Sequence, residues 1–171
     1  MQRRLSAVLS ALVLAIGLVF VPAAPAQAAF IWQGDFTISS GGLCMGVSGN
    51  SSANGALIYP QNCSFGAEIQ KWRIYRLDDQ NNYMFQSFKY AAQNKCLDGP
   101  DSDPRIVHLW GCHGGNQQRF YLSPTATGPQ QIRQAGGNEC LGVVLGPLTY
   151  SLQQLNCSAS TPPMLILTRV A

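Results

Sequence analysis

The sequence predicts an all-β domain assembled from three related units, and three observations lead there. A cysteine-led pattern recurs three times. Short apolar runs of strand length alternate with clusters of Gly, Asn, Ser and Pro. Nothing after residue 28 sustains the 3.6-residue apolar period of a helix.

Taken in chain order, the first segment is not part of the fold. Residues 1–28 open with Arg3 and Arg4, run apolar from Leu5 to Val21 and end in PAAPAQA before Ala29. That is the charged n-region, apolar h-region and small-residue cleavage site of a secretory signal peptide. Pro22 and Pro25 interrupt a run that a membrane span would continue for about 20 residues. The arginine pair matches a twin-arginine signal only weakly. The expected product is a secreted chain of residues 29–171 with no membrane span, the length of one domain.

Three repeats follow, at about 33–77, 80–123 and 128–169. Cys44-Met45-Gly46, Cys96-Leu97-Asp98 and Cys140-Leu141-Gly142 are their related starts. Cys63, Cys112 and Cys157 come 19, 16 and 17 residues later. A third shared element lies six or seven residues beyond: QKWRI at 70–74, QRFYL at 118–122 and PMLIL at 163–167. Strands are expected at 35–39, 44–47, 56–59 and 72–75 in the first repeat, at 83–87, 96–98, 106–110 and 120–122 in the second, and at 130–134, 140–144, 151–155 and 165–168 in the third. Separate hairpins this short would leave exposed edges, which closure removes. Three four-stranded units around one shared core make a β-trefoil.

All six cysteines follow the signal segment, and an even count there argues for disulfides in an oxidising compartment. Six cysteines allow fifteen pairings, so the count alone does not choose among them. Charge excludes one class of partner. Of the 11 Lys and Arg, two lie in the signal, leaving nine against eight Asp and Glu, and so even a balance is no footprint for nucleic acid. Lys71, Arg73 and Arg76 against Asp78 and Asp79 read as a solvated strand face and its turn.

The start, the second cysteine and the closing Gln-x-Trp, three times over, are similar to the ricin B-type lectin domain, also found as a sugar-binding module on secreted bacterial glycosidases. The closing motif is intact at Gln70-Lys71-Trp72, softened at Gln118-Arg119-Phe120 and lost at Pro163-Met164-Leu165. The resemblance implies one disulfide within each repeat: Cys44 with Cys63, Cys96 with Cys112, and Cys140 with Cys157. It implies a glycan as partner, no cofactor and no metal. It also implies a sugar site made of an Asp two residues after the first Cys, an aromatic two before the second, a polar residue two before that, and amides at and just before the closing Gln.

Only the second repeat supplies the full set: Asp98, His108, Trp110, Gln117 and Gln118, with Asn116 adjacent. The first has Gly46, Tyr59, Gln61, Ile69 and Gln70 at those places, and the third has Gly142, Gln153, Leu155, Pro162 and Pro163. The chemistry favours this grouping, because a pyranose has one apolar face and a rim of hydroxyls. Period-two alternation in VHLWGC sets His108 and Trp110 on the face opposite Val107 and Leu109. Trp110 would be the flat platform. Asp98 would accept from two adjacent hydroxyls, Gln117 or Asn116 would donate, and Gln118 would serve the scaffold as much as the sugar. Trp72 and Phe120 read as core. With Asp98 on an exposed rim, Asp98→Ala should abolish binding and leave thermal stability nearly unchanged.

Catalysis has little support. His108 and His113 are the only histidines, no nucleophile elbow or zinc spacing occurs, and Asp98 with Asp101 or Asp103 on a Gly-Pro-rich loop is a poor glycosidase pair. Asp101 and Asp103 read as loop solvation. The chain is expected to be a monomeric, non-enzymatic, galactose- or xylose-binding module. The competing reading is a degenerate trefoil acting as a protein-interaction module or protease inhibitor through GNSSANG (49–55) or DGPDSDP (98–104), neither of which offers a basic or large apolar residue for a protease pocket.

Overall fold

The computed structural model describes residues 31–170 except 65, 78–80, 102–104, 123–127 and 147–149. The signal segment and the expectations for Asp78, Asp79 and Asp103 lie outside the described residues. Every expected strand is present. The first repeat holds β1 (Ile31–Ser40), β2 (Leu43–Val47), β3 (Ala56–Asn62) and β4 (Lys71–Arg76). The second holds β5 (Asn82–Ser87), β6 (Lys95–Asp98), β7 (His108–Gly111) and β8 (Phe120–Leu122). The third departs in one respect: its first strand is broken at Gln131 into β9 (Gly128–Gln130) and β10 (Ile132–Gln134), followed by β11 (Glu139–Leu145), β12 (Tyr150–Asn156) and β13 (Leu165–Val170).

The break has a topological cause. The first and last strands of the repeats form a closed ring in which β1 pairs β4, β4 pairs β5, β5 pairs β8, β8 pairs β10, β9 pairs β13 and β13 returns to β1. The residues on either side of Gln131 therefore serve different neighbours. The hairpins β2–β3, β6–β7 and β11–β12 cap one end. They join one another through β3–β7 pairing and an Ile106–Gln153 bridge. Closure of the ring leaves the first and last strands of the first two repeats paired on both sides.

The core repeats with the sequence. Met45, Leu97 and Leu141, each just after a first cysteine, have no exposed surface. The same is true of Ile58, Val107 and Leu152, five residues before the second cysteines, and of Trp72, Phe120 and Leu165 in the closing element. Burying each such side chain stabilises the fold by about 1.5–3 kcal/mol. Leu165 does in the third repeat what Trp72 does in the first, so loss of the aromatic shrinks the core without opening it. Trp72 also needs a partner for its indole N–H, which donates to Met45 O at 3.1 Å. Disulfides join Cys44 to Cys63, Cys96 to Cys112 and Cys140 to Cys157, one per repeat.

The closing glutamines explain why Gln-x-Trp is a unit. Gln70 donates to Asn62 O at 2.8 Å and accepts from Ser64 N–H at 2.9 Å. Gln118 donates to Gly111 O at 2.8 Å and accepts from His113 N–H at 2.7 Å. Each buried amide thus clamps the backbone on both sides of the second cysteine while the aromatic two residues on enters the core.

Candidate functional site

In the second repeat β6 and β7 run antiparallel with Asp98 opposite His108 and Cys96 opposite Trp110. Leu97, Val107 and Leu109 point into the core, and His108 and Trp110 point out. The two outward rings meet edge to face, 5.6 Å between centroids and 65° between planes. Trp110 is 41% exposed, against 0% for Trp72. An exposed indole on a rigid strand, braced by a neighbouring ring, is a platform for the apolar face of a ligand.

Asp98 differs from expectation. It is 5% exposed, so its carboxylate lies beneath the rim and not on it. Oδ2 accepts from Gln118 Nε2 at 2.9 Å and faces His113 Nε2 at 3.1 Å. Gly115 N–H donates to His113 Nδ1 at 3.0 Å, so Nδ1 presents a lone pair and Nε2 is the donor to Asp98. His108 is set the other way. Its Nδ1 lies 3.2 Å from Ile106 O, which can only accept, so Nδ1 carries the hydrogen. In the neutral ring Nε2 then turns a lone pair toward Asp98 Oδ1 at 3.6 Å, beyond hydrogen-bond length. Among the described residues Oδ1 accepts no hydrogen bond, and it is the oxygen left for a ligand hydroxyl.

The remaining residues divide. Gln118 has no exposed surface, and both ends of its amide are taken by Asp98, Gly111, His113 and Gly114. It positions the carboxylate and does not reach a ligand. Gln117 Nε2 donates to Asp101 Oδ2, and Gly99 N–H donates to Gln117 O at 2.9 Å, which ties the loop after Asp98 to the segment before Phe120. Asp101 therefore has a structural partner and is not merely solvated. Asn116 turns away into a cleft toward the third repeat. His113 belongs to the site but carries no sequence signal, because a turn at Gly114 (φ 67°) folds it back over Asp98 and no periodicity marks such a turn.

The other two repeats are filled at the same place. A Cβ on Gly46 would run into the side-chain amide of Gln61, which stands where Trp110 stands in the second repeat. A Cβ on Gly142 would lie 2.6 Å from both Leu155 Cδ1 and Pro163 Cβ, an apolar plug. Neither glycine can become a carboxylate without movement of these neighbours.

Residues 84–163 match the family model described as "Ricin-type beta-trefoil lectin domain". The chain carries a ricin-type β-trefoil lectin domain. The first repeat, which lies before that match, closes into the same barrel through β1 and β4. A comparison with curated proteins found no match. Among solved structures the chain is similar to the designed 3-fold symmetric protein ThreeFoil, with 20% identity, a TM-score of 0.66, and coverage of 78% of this chain and 97% of that one. It is similar to the earthworm lectin C-terminal domain, a mutant in complex with 6'-sialyllactose, with 16% identity, a TM-score of 0.61 and coverage of 80% and 98%. It is also similar to the Polyporus squamosus lectin bound to a human-type influenza-binding epitope, with 15% identity, a TM-score of 0.64 and coverage of 82% of this chain. The ricin-type domain spans half the length of that last protein.

Proposed function

We propose that this ricin-type domain is a secreted, monomeric carbohydrate-binding module with one working site, in the second repeat. Trp110 takes the apolar face of a galactose- or xylose-type ring, Asp98 Oδ1 accepts from a hydroxyl, and His108 offers a ring nitrogen at the same rim. His113 and Gln118 hold the carboxylate in place. The observation that carries this reading is the exposed Trp110 ring beside a carboxylate with one oxygen unused. The filled positions at Gly46 and Gly142 support a single site, and the glycan complexes of the earthworm and Polyporus lectins support a saccharide as ligand. Binding without catalysis suits the arrangement, since Asp98 is engaged by scaffold donors and all six cysteines are in disulfides.

A glycan array probed with the mature chain and with Trp110→Ala, each tetramerised on streptavidin so that a weak single site is detected through avidity, tests the function. Binding of a galactose- or xylose-terminated glycan that the variant loses supports it; an array empty for both proteins overturns it. Export is tested separately by sequencing the N-terminus of the secreted protein, expected within a few residues of Ala29. An intact 1–28 segment on that protein would contradict it.

A further inference from the structure

A loop of the first repeat reaches the second at Trp110. Ahead of β3 the segment Ser51-Ser52-Ala53-Asn54-Gly55 turns on itself, with Ala53 N–H donating to Ser51 Oγ at 3.2 Å and Ala56 N–H donating to Ala53 O at 3.2 Å. The turn places Gly55 in the left-handed region, at φ 85°. From this turn Asn54 aims its side-chain oxygen at β7, where Oδ1 accepts from Gly111 N–H at 3.1 Å and also from Lys95 Nζ. Gly55 N–H donates to Leu109 O at 2.8 Å.

Register gives these contacts their meaning. β3 pairs β7 with Ala56 opposite Leu109 and Leu57 opposite His108, so two further residues of ladder would set Asn54 opposite Gly111. The strand begins only at Ala56, because the main chain has turned away before it. The Asn54 amide oxygen replaces the missing main-chain acceptor, a role that suits its short polar side chain. The two peptide groups that bracket Trp110, the Leu109 carbonyl and the Gly111 N–H, are therefore held by adjacent residues of another repeat.

On the other side of β7, Trp110 lies opposite Cys96, which is fixed in its disulfide. The strand is thus held along both edges where the indole stands 41% exposed. A ring so exposed has fewer packed neighbours to aim it than the buried Trp72, and its direction depends on how firmly its strand is held.

We propose that Asn54 is a positioning residue for the sugar platform, acting through the β7 backbone on Trp110 and not on the ligand. The inference rests on the carbohydrate reading above. A ring already ordered costs less to order when a sugar arrives, and so the brace raises affinity without adding a contact. The first repeat contributes to the site of the second in this way.

Isotope-labelled mature chain, Asn54→Ala and Asn54→Asp, each titrated with xylose and with galactose and followed at the Trp110 indole resonance, test it alongside melting curves. Asn54→Ala leaves the Gly111 N–H to water and should melt close to the parent. It should nevertheless bind the sugar that the parent binds about three- to tenfold more weakly, the worth of one such hydrogen bond. Asn54→Asp keeps an oxygen toward Gly111 and Lys95 and should restore parental affinity. Without sugar, the heteronuclear NOE of the Trp110 indole N–H should fall in Asn54→Ala and hold in Asn54→Asp, a change that a residue stabilising only its own loop would not produce. Parental affinity in Asn54→Ala overturns the proposal while the Trp110 site stands, and so does a loss of affinity that Asn54→Asp shares. A parent whose indole neither sugar moves removes the Trp110 site and the role of Asn54 together.

Discussion

Asp98 Oδ2 accepts from the scaffold through Gln118 and His113, whereas Oδ1 lies 3.6 Å from His108 Nε2, beyond hydrogen-bond length, and faces the rim. This division separates two substitutions that a sequence treats alike. Asp98→Ala leaves one hydrogen of the buried Gln118 amide without its acceptor and should lower stability by about 1–3 kcal/mol, read as a lower melting temperature. It cannot be the neutral change that an exposed rim would allow. Asp98→Asn keeps an oxygen toward Gln118 and His113 and turns an NH₂ toward His108 Nε2. It should melt close to the parent protein and still lose sugar binding in a calorimetric titration. The spacing of Asp98, His108 and Trp110 was legible in the sequence, since alternation along a strand sets faces. The burial of Asp98 was not, because it depends on His113 folding back through the Gly114 turn, a loop contact without periodicity.

Among the elements, the closing strands show how far the motif carries. Trp72, Phe120 and Leu165 fill one core position from three different residue types, so the apolar character was legible in PMLIL even though the motif was lost. The break of the third repeat's first strand at Gln131 was not legible, since it follows from which neighbours β9 and β10 meet and not from local propensity. The plug at Gly142 gives an element-scale test. Gly142→Ala places a Cβ against Leu155 and Pro163 and should destabilise by about 1–3 kcal/mol in a denaturant titration. The Cys96–Cys112 bridge closes a 16-residue separation around the site. Replacing both cysteines by Ala should remove about 3 kcal/mol, roughly a 10 °C fall in melting temperature.

For the whole molecule, closure and threefold repetition were readable from cysteine spacing and strand-length runs, whereas the filling of the equivalent position in the first and third repeats shows fully only in the structure. Three similar units share one barrel, and two of them have filled the place where the third keeps a carboxylate and an exposed indole. One site per monomer means no avidity. With the single proposed site, the protein should bind a sugar matrix without cross-linking cells, which a haemagglutination assay reads directly. Affinity for a single ring in so shallow a groove should be weak, with a Kd of about 0.1–1 mM, or about 4–5.5 kcal/mol. Titration calorimetry with the monosaccharide, on the parent protein and on Trp110→Ala, is the most direct test of the single-site account. The expected result is one sugar per chain at that affinity, lost in Trp110→Ala while the melting temperature holds. Two or three sugars per chain, or full binding by Trp110→Ala, would contradict it.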